Sequence, residues 1–342
     1  MNYKNTLHIV YSLPQTILEK LLFLFQKSRI GGRNFENVNW PSPIKAPLSI
    51  TYNIAQCFGD KIAVKLYDLQ ERIKIVPQKG DILLGHPYMD PHSVMWDALQ
   101  NKDFSAKYLI SPYNHNTSQV TWFSEAVKRC DLYFAICGQY WFDTFSNSPF
   151  YDLAEKIVHL NMAINTVDYP FVKKKYNPPG KRRFFYIGRY GHFGDEKGIA
   201  LLEQLAAWIP GFEGGYICEG GEINGWHQIS KPTRLTPEFM TNLAGSYDFF
   251  INMSRADAQA TTVLEAMSWG FPVACTKETG YSDESLFYLN IDDLEQNVAI
   301  IEQMQNSPDD ELHRISEKNR KLAESKYNWQ HFGDVLKEHI AL

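Results

Sequence analysis

Residues 254–273 read SRADAQATTVLEAMSWGFPV, and this stretch places two carboxylates, Asp257 and Glu265, on either side of a predicted helix start. The apolar run over residues 247–253 predicts a buried strand, and the polar residues 254–260 predict the loop that leaves it. Residues 261–269 predict the start of a helix. Free backbone N–H groups at a helix start attract phosphate. The stretch therefore predicts a site for a phosphorylated ligand between the two carboxylates.

Both carboxylates can reach such a ligand. Helical side chains lean back toward the helix N-terminus, so Glu265 points toward a ligand above the helix start, while Asp257 approaches from the loop. A carboxylate accepts hydrogen bonds from two vicinal hydroxyls at once, as on a ribose or hexose ring. The pattern favours a sugar on each side of the phosphate. The alternative is that the two residues only cap a helix and lie on a solvated loop.

A second cluster lies upstream, where a β-prone run, Phe184 to Ile187, leads into a glycine-rich loop over residues 188–198 and a helical pattern over residues 199–208. Glycines let the backbone approach a ligand closely, Arg189 can bind phosphate oxygens with its planar guanidinium, and Lys197 adds a mobile charge. Taken singly, each cation would be a solvated surface charge. Together with the two carboxylates, they favour a nucleotide-sugar site.

These residues resemble the acidic signature of retaining GT-B glycosyltransferases, family 4 and its relatives. The match includes Leu264-Glu265-Ala266-Met267, then Gly270 and Pro272-Val273. In that family the second carboxylate holds the nucleotide ribose, the first lies beside the transferred sugar, and an Arg and a Lys stabilise the diphosphate. The resemblance implies that Glu265 holds the nucleotide ribose and that Asp257 lies beside the transferred sugar. It implies a donor site made of Gly188, Arg189, Lys197, Gln259, Ala260, Thr261, Thr262 and Glu265.

The chain departs from the family at one position, because the family usually has Glu where Asp257 stands. The missing methylene shortens the reach of the carboxylate by roughly 1.5 Å. A non-catalytic module that binds a nucleotide sugar therefore stays open as an alternative. In the retaining enzymes, the departing phosphate is generally thought to take the acceptor's proton. The resemblance thus implies retention at the anomeric carbon without a second carboxylate as nucleophile.

No metal ion or other cofactor is expected, and a nucleoside diphosphate sugar is the donor substrate. Fixed cations and helix N–H groups can stabilise a departing diphosphate, and the sequence has no Asp-x-Asp, no His-Glu-x-x-His and no paired Cys-x-x-Cys motif. A nicotinamide dehydrogenase is the main competing interpretation, because strand, glycine-rich loop and helix are also its fingerprint. The spacing disfavours it, since Gly188, Gly191 and Gly194 recur at every third residue.

With 342 residues the chain fits two α/β domains better than one core. Alternating strand-like and helical patterns predict doubly wound parallel sheets. The resemblance implies the GT-B architecture, in which two Rossmann-like domains face each other across a cleft and a C-terminal helix crosses back. The predicted parts are an N-terminal, acceptor-side domain (1–168), a linker (169–183), a C-terminal nucleotide-sugar domain (184–325) and the closing helix (326–342).

Short apolar runs supply the predicted strands of both sheets. Those of the first sheet are Leu7 to Tyr11, Ile62 to Leu66, Asp81 to Leu84, Tyr108 to Ile110 and Leu132 to Ile136. Those of the second sheet are Phe184 to Ile187, Gly215 to Cys218, Tyr247 to Ile251 and Phe271 to Ala274.

Two further segments have a clear pattern. Residues 15–27 predict an amphipathic helix whose apolar face packs into the core rather than onto a membrane, because its polar face carries few cations. Residues 172–183 hold six basic residues, two prolines and a glycine. This composition predicts a solvated linker.

The N-terminal half is expected to hold the acceptor, and two histidines are candidates for this side of the site. His115 lies in the loop after the strand that ends near Ile110. In related enzymes a His at this loop contacts the donor sugar and faces the acceptor, so the resemblance makes His115 the second catalytic candidate beside Asp257. The alternative is a structural loop histidine. His86 follows another strand end and faces the same cleft by topology.

The expected acceptor is a carbohydrate or a lipid-linked molecule, in the synthesis of a glycan, a glycolipid or a cell-surface polysaccharide. A net charge of −5 disfavours a nucleic-acid partner, which would call for a basic stripe. The five cysteines show no pairing pattern, and there is no signal peptide and no long apolar span. These features predict a cytoplasmic protein with at most peripheral membrane contact.

Overall fold

The computed structural model describes residues 5–15, 32–88, 90, 92–115, 120–191 and 195–342. Most of the predicted amphipathic helix over residues 15–27 lies outside these residues, and so does Gly194 of the predicted glycine-rich loop. The described chain folds into two sheets of mainly parallel strands, each flanked by helices.

The N-terminal sheet is parallel except at one edge. Its described strands are β1 (Thr6–Tyr11), β2 (Arg33–Asn34), β3 (Ala63–Asp68), β4 (Ile82–Gly85), β5 (Ala106–Pro112), β6 (Leu132–Ile136) and β7 (Ile157–Leu160). They are ordered β2-β3-β1-β4-β5-β6-β7, and β2 pairs antiparallel with β3. The order reverses between β1 and β4, which is the point where ligands bind in open parallel sheets.

The C-terminal sheet is parallel throughout its described strands. These are β8 (Phe184–Arg189), β9 (Gly214–Glu219), β10 (His227–Gln228), β11 (Phe249–Asn252), β12 (Val273–Thr276) and β13 (Phe287–Leu289). Their order is β10-β9-β8-β11-β12-β13. The order reverses between β8 and β11, and these two strands lead into the two predicted donor-binding clusters. The topology therefore brings clusters that are far apart in sequence to one point of the sheet.

Helices cover the sheets because most crossovers between parallel strands contain one. The helices of the described residues are α1 (Leu48–Phe58), α2 (Val94–Gln100), α3 (Val120–Lys128), α4 (Gln139–Asp143), α5 (Ile199–Trp208), α6 (Pro237–Ser246), α7 (Thr261–Trp269), α8 (Leu294–Asn306), α9 (Asp309–Ser325) and α10 (Trp329–His339). In this part of the chain, no helix has both the length and the apolar character needed to cross a membrane.

Every predicted strand occurs, and α5 and α7 begin and end at the predicted residues. The largest strand errors are two residues; for example, β11 and β12 begin at Phe249 and Val273 rather than at Tyr247 and Phe271. Four strands were not predicted. β2 and β10 have two residues each and β13 has three, so they are too short to show a period, and β7 is interrupted by His159.

The last helix returns to the N-terminal domain, as the resemblance implies. The Gly333 carbonyl of α10 lies 3.5 Å from the Cys57 thiol of α1. The Ile164 N–H, where the chain leaves the N-terminal sheet, donates to the Tyr327 carbonyl just before α10 at 2.8 Å. The two domains are thus held together at the chain crossing, where the chain leaves the N-terminal domain near Ile164 and returns to it near Tyr327.

The prediction of a solvated linker is wrong for two of its six basic residues, because Lys173 and Arg182 are each only 1% exposed. The Lys173 ammonium donates to the Asp248 carboxylate at 2.9 Å and to the carbonyls of Ala244 and Tyr247 at 2.8 Å. Burial lowers the pKa of Lys173, and the Asp248 charge opposes this shift. The Arg182 guanidinium donates to backbone carbonyls at the end of α8. The segment is therefore packed against the C-terminal domain.

Replacing Lys173 with Met tests this packing. The change preserves the bulk of the side chain but leaves the buried Asp248 carboxylate without its cation, so we expect the free energy of unfolding to fall by about 3 kcal/mol. Urea denaturation measures the change. Lys318→Met is the control, because Lys318 pairs with Glu284 at 3.6 Å on the surface and should contribute less than about 1 kcal/mol. Equal midpoints for Lys173→Met and wild type would contradict the proposed packing.

Candidate functional site

The candidate site lies at the carboxyl ends of β8 and β11, where the C-terminal sheet faces loops of the N-terminal domain. The Glu196 carbonyl in the loop after β8 accepts hydrogen bonds from the Arg255 N–H and the Ser254 hydroxyl in the loop after β11, each at 2.8 Å. These contacts hold the two loops side by side. They bring Lys197 next to Asp257.

Lys197 and Asp257 form an ion pair with each other, and both side chains are largely shielded from solvent. The resemblance implies that the ammonium faces the diphosphate and that the carboxylate faces the transferred sugar. The structure places the two groups in direct contact, at one side of the start of α7. An ammonium has three N–H groups, so Lys197 can keep this contact and donate to a second anion.

Arg189 and Gly188 end strand β8. The Arg189 guanidinium is exposed and pairs with Glu219 at 3.4 Å, a surface contact that contributes little and leaves the cation accessible. A Cβ atom on Gly188 would lie 2.2 Å from the Tyr186 hydroxyl, which donates to the Arg189 carbonyl at 3.2 Å. The packing of Tyr186 therefore explains why a glycine stands at position 188. This structural reason adds to the predicted one, the close approach of the backbone to a ligand.

The start of α7 offers backbone donors, but not from every predicted residue. The Gln259 side chain turns toward the N-terminal domain, where its Oε1 accepts from the Met162 N–H at 2.6 Å. The Ala260 N–H donates to the Thr279 carbonyl at 3.0 Å. The N-cap residue, Ala260, has no side chain that could cap the helix, so the N–H groups of its first residues, Thr261 and Thr262, are the ones suited to an anion.

Glu265 lies one turn further along α7, at the wall of a cavity of about 130 Å³ between the two domains. The Tyr169 hydroxyl donates to its carboxylate at 3.3 Å. Burial raises the pKa of Glu265, while the nearby Lys45 ammonium and the Tyr169 hydroxyl oppose this shift. The cavity lining includes Lys45, Ser49, Asn165, Asp168, Tyr169, Thr261, Glu265 and Trp329.

His115 contacts the C-terminal domain through one residue of α4. Its Nε2 lies 2.9 Å from the Trp141 carbonyl, and the two rings lie 5.1 Å apart. The Trp141 indole N–H in turn donates to the Asp257 carbonyl at 2.7 Å. Burial lowers the pKa of His115. Because a carbonyl can only accept, the neutral ring carries its proton on Nε2 and keeps Nδ1 as an acceptor.

His86 lies at the carboxyl end of β4, beside the reversal of strand order in the N-terminal sheet. Its ring packs edge-on against Tyr11 at 5.2 Å. Burial lowers the pKa of His86 to about 4, and its Nδ1 has no hydrogen-bond partner in the structure as described. A buried, neutral imidazole at this point of the sheet suits a ligand hydroxyl better than a charge.

Sequence reasoning missed Lys45, Tyr169 and Trp141. Lys45 lies in a proline-containing loop and Tyr169 at the chain crossing, where no periodic pattern marks either of them. Trp141 follows the end of β6 by a few residues, as His115 follows the end of β5. That position after a strand end is the sequence feature that could have marked Trp141 as a site residue. Within the described residues, no three or more His, Cys, Asp or Glu side chains are grouped to hold a metal ion.

No family model matches this sequence, and no curated protein is similar to it. The fold, however, is similar to those of known glycosyltransferase structures. Sucrose-phosphate synthase from Thermosynechococcus elongatus aligns over 97% of this chain and 98% of its own, with a TM-score of 0.64 and 10% identity. A glycosyltransferase from Rickettsia africae aligns over 99% and 98%, with a TM-score of 0.55 and 14% identity. This chain has the GT-B fold.

A third similar structure is longer than this chain. A variant of TarM from S. aureus, solved with UDP, aligns over 75% of this chain and 55% of its own, with a TM-score of 0.54 and 12% identity. The chain thus spans about half the length of TarM. At these identities the similarity establishes the fold, and the predicted architecture of two Rossmann-like domains is confirmed.

Replacing Glu265 with Gln tests whether this half-buried carboxylate lowers the stability of the fold. Because the folded-state pKa is raised above the ordinary value of 4.5, the folded protein loses stability relative to the unfolded chain as pH rises through the folded-state pKa. A neutral amide does not ionise and so does not lose stability in this way. We expect Glu265→Gln to melt at a higher temperature than wild type at pH 7, with a smaller gain near pH 4.

Thermal unfolding between pH 4 and pH 8 measures the effect. Glu284→Gln is the control, because the Glu284 side chain is 92% exposed and should leave the melting temperature nearly unchanged. A Glu265→Gln protein less stable than wild type at pH 7 would mean that the carboxylate supports the fold.

Proposed function

We propose that this chain is a glycosyltransferase that moves a sugar from a nucleoside diphosphate sugar to an acceptor hydroxyl, with retention and without a metal ion. One observation carries the proposal. In a GT-B fold, the start of α7 lies along the chain between Asp257, which is paired with Lys197, and Glu265, which lines the interdomain cavity, and its N-cap residue has no side chain to cap it. The N–H groups of the helix start can donate hydrogen bonds to a diphosphate, and the carboxylate on each side can accept hydrogen bonds from sugar hydroxyls.

The donor would lie along the C-terminal side of the cleft. Its diphosphate would accept hydrogen bonds from the N–H groups of Thr261 and Thr262 and face the cations of Lys197 and Arg189. The ribose hydroxyls would donate to Glu265 at the cavity wall, and Asp257 would lie beside the transferred sugar. UDP in the similar TarM structure makes a uridine diphosphate sugar the first donor to test.

The charges of the site match those that develop in the reaction. Negative charge grows on the departing diphosphate, where Lys197, Arg189 and the start of α7 would stabilise it. Positive charge grows on the sugar ring, where the Asp257 carboxylate would stabilise it. Since Lys197 already contacts Asp257, one ammonium would bridge the sugar-side carboxylate and the leaving group. No metal ion is needed for this charge balance.

The acceptor would enter from the N-terminal domain. His115, neutral and protonated on Nε2, would accept a hydrogen bond from a sugar hydroxyl through Nδ1. The departing phosphate would take the acceptor's proton on the same face, which gives retention. A carbohydrate or lipid-linked acceptor, used in the cytoplasm or at a membrane surface, fits the expected role in glycan, glycolipid or cell-surface polysaccharide synthesis.

A non-catalytic module that binds a nucleotide sugar is the second candidate. Asp257 favours it, because this carboxylate is shorter than the usual Glu and is already paired with Lys197. Such a module would bind the donor and regulate or scaffold a partner enzyme. It would show donor binding without sugar transfer or donor hydrolysis.

Thermal shift with nucleotides tests the donor site. The purified chain is screened against uridine, guanosine, adenosine, cytidine and thymidine diphosphates and their sugars, with and without EDTA. A ligand at 100 times its dissociation constant should add about 2.7 kcal/mol of stability. We expect one nucleotide to stabilise the chain regardless of EDTA, and Glu265→Ala to abolish the shift because the ribose loses its acceptor. Glu284→Ala is the matched surface control.

Each other outcome has a defined meaning. No shift with any nucleotide would overturn the donor site. A shift that disappears with EDTA would overturn metal independence. A shift without transfer to any carbohydrate acceptor, and without hydrolysis of the donor, would favour the non-catalytic module.

A further inference from the structure

The loop that carries Asp257 is held by the N-terminal domain through three successive backbone carbonyls. The Ala256 carbonyl accepts from the Asn114 amide at 3.2 Å. The Asp257 carbonyl accepts from the Trp141 indole at 2.7 Å, and the Ala258 carbonyl accepts from the Gly138 N–H at 2.9 Å. The backbone position of this loop therefore depends on the domain opposite to it.

A neighbouring loop of the C-terminal domain is held in the same way. The Tyr140 N–H donates to the Gly280 carbonyl at 3.3 Å, and the Tyr140 hydroxyl donates to the Glu278 carboxylate at 3.1 Å. The Glu278 carbonyl accepts from the Asp257 N–H at 2.9 Å. Between them, Asn114, Gly138, Tyr140 and Trp141 hold the two loops, and we call these four residues the interdomain clamp.

Trp141 has a special place in the clamp, because it joins the two candidate catalytic residues. Its side chain is 4% exposed, its indole N–H donates to the Asp257 carbonyl, and its own carbonyl lies 2.9 Å from Nε2 of His115. His115 belongs to the N-terminal domain and Asp257 to the C-terminal domain. One buried residue, through its backbone carbonyl and its indole N–H, therefore links two loops that the fold places on opposite sides of the cleft.

We propose that Trp141 is a positioning residue for the sugar transfer, which holds His115 and Asp257 in a fixed relative position when the interdomain clamp is closed. This inference rests on the proposed function. In the open state, the Asp257 loop would lose its three hydrogen bonds to the N-terminal domain, and the link from Asp257 through Trp141 to His115 would be broken. Donor binding to Glu265 and the start of α7 would persist, because the clamp touches neither.

Gly138 limits how closely the two domains can approach. Its φ of −76° and ψ of 163° suit any residue, yet a Cβ atom there would lie 1.6 Å from the Gly280 carbonyl oxygen of the other domain. No real Cβ atom tolerates such a contact, and the obstacle is backbone rather than a flexible side chain. Gly138→Ala should therefore keep the N-terminal domain intact and prevent full closure.

Two variants and one control test the proposal in the full-length chain. Trp141→Phe keeps most of the ring but removes the indole N–H. Gly138→Ala blocks closure. Gly245→Ala is the control, because a Cβ atom there meets no atom of the described residues within 4 Å. Small-angle X-ray scattering, nucleotide titration calorimetry and initial-rate kinetics are measured for each protein.

We expect Trp141→Phe to lower kcat by at least about tenfold while the dissociation constant of the nucleotide changes by less than about threefold, since misplaced catalytic groups affect the chemical step more than donor binding. Gly138→Ala should increase the radius of gyration and lower kcat further, and Gly245→Ala should match wild type. A merely structural tryptophan would instead lower thermal stability and weaken nucleotide binding together with kcat.

Wild-type kcat in Trp141→Phe would overturn the positioning role, and a Gly138→Ala protein as compact as wild type would overturn the clamp. Failure of the proposed function is recognised separately, because it appears as absent nucleotide binding or absent transfer in the wild-type chain. The positioning role would then fall with it, whereas the scattering of Gly138→Ala would still decide the clamp.

Discussion

The contact between the loop after β11 and the N-terminal domain is the constraint on which the candidate site depends. Three carbonyls of this loop accept hydrogen bonds from the opposite domain, and the same loop carries Asp257 and leads into α7. A backbone held at successive residues has little freedom, so the packing of the two domains sets the backbone position of Asp257, while Lys197 pairs with its carboxylate. The geometry of the site therefore depends on how the two domains pack together.

The electrostatics of the site are those of a binding surface rather than of a stable core. Glu265 is half-buried at the cavity wall, where desolvation raises its pKa, and the N-cap residue of α7, Ala260, has no side chain that could cap the helix. Both features cost stability in the free protein, and a bound nucleotide would remove both costs. In contrast, the buried pair of Lys173 and Asp248 has every partner it needs within the protein and serves the fold.

Most of the fold could be predicted because it depends on local pattern. The apolar runs of β6 and β8 and the helical periods of α5 and α7 are visible along the chain, and parallel sheets follow from their alternation. The linker could not be predicted correctly. A cluster of basic residues is usually solvated, and only the tertiary structure places Asp248 and the carbonyls around Lys173.

Local pattern was enough to single out Arg189, Lys197, Asp257 and Glu265 as candidates, since each lies close to a strand end or a helix start that the pattern predicts. Tertiary structure alone decided which of their groups face each other. It paired Lys197 with Asp257, turned Gln259 away toward Met162, and inserted Trp141 between His115 and Asp257. The physical reason is that local periodicity fixes where an element begins and ends, whereas contacts between distant loops depend on how the two domains pack together.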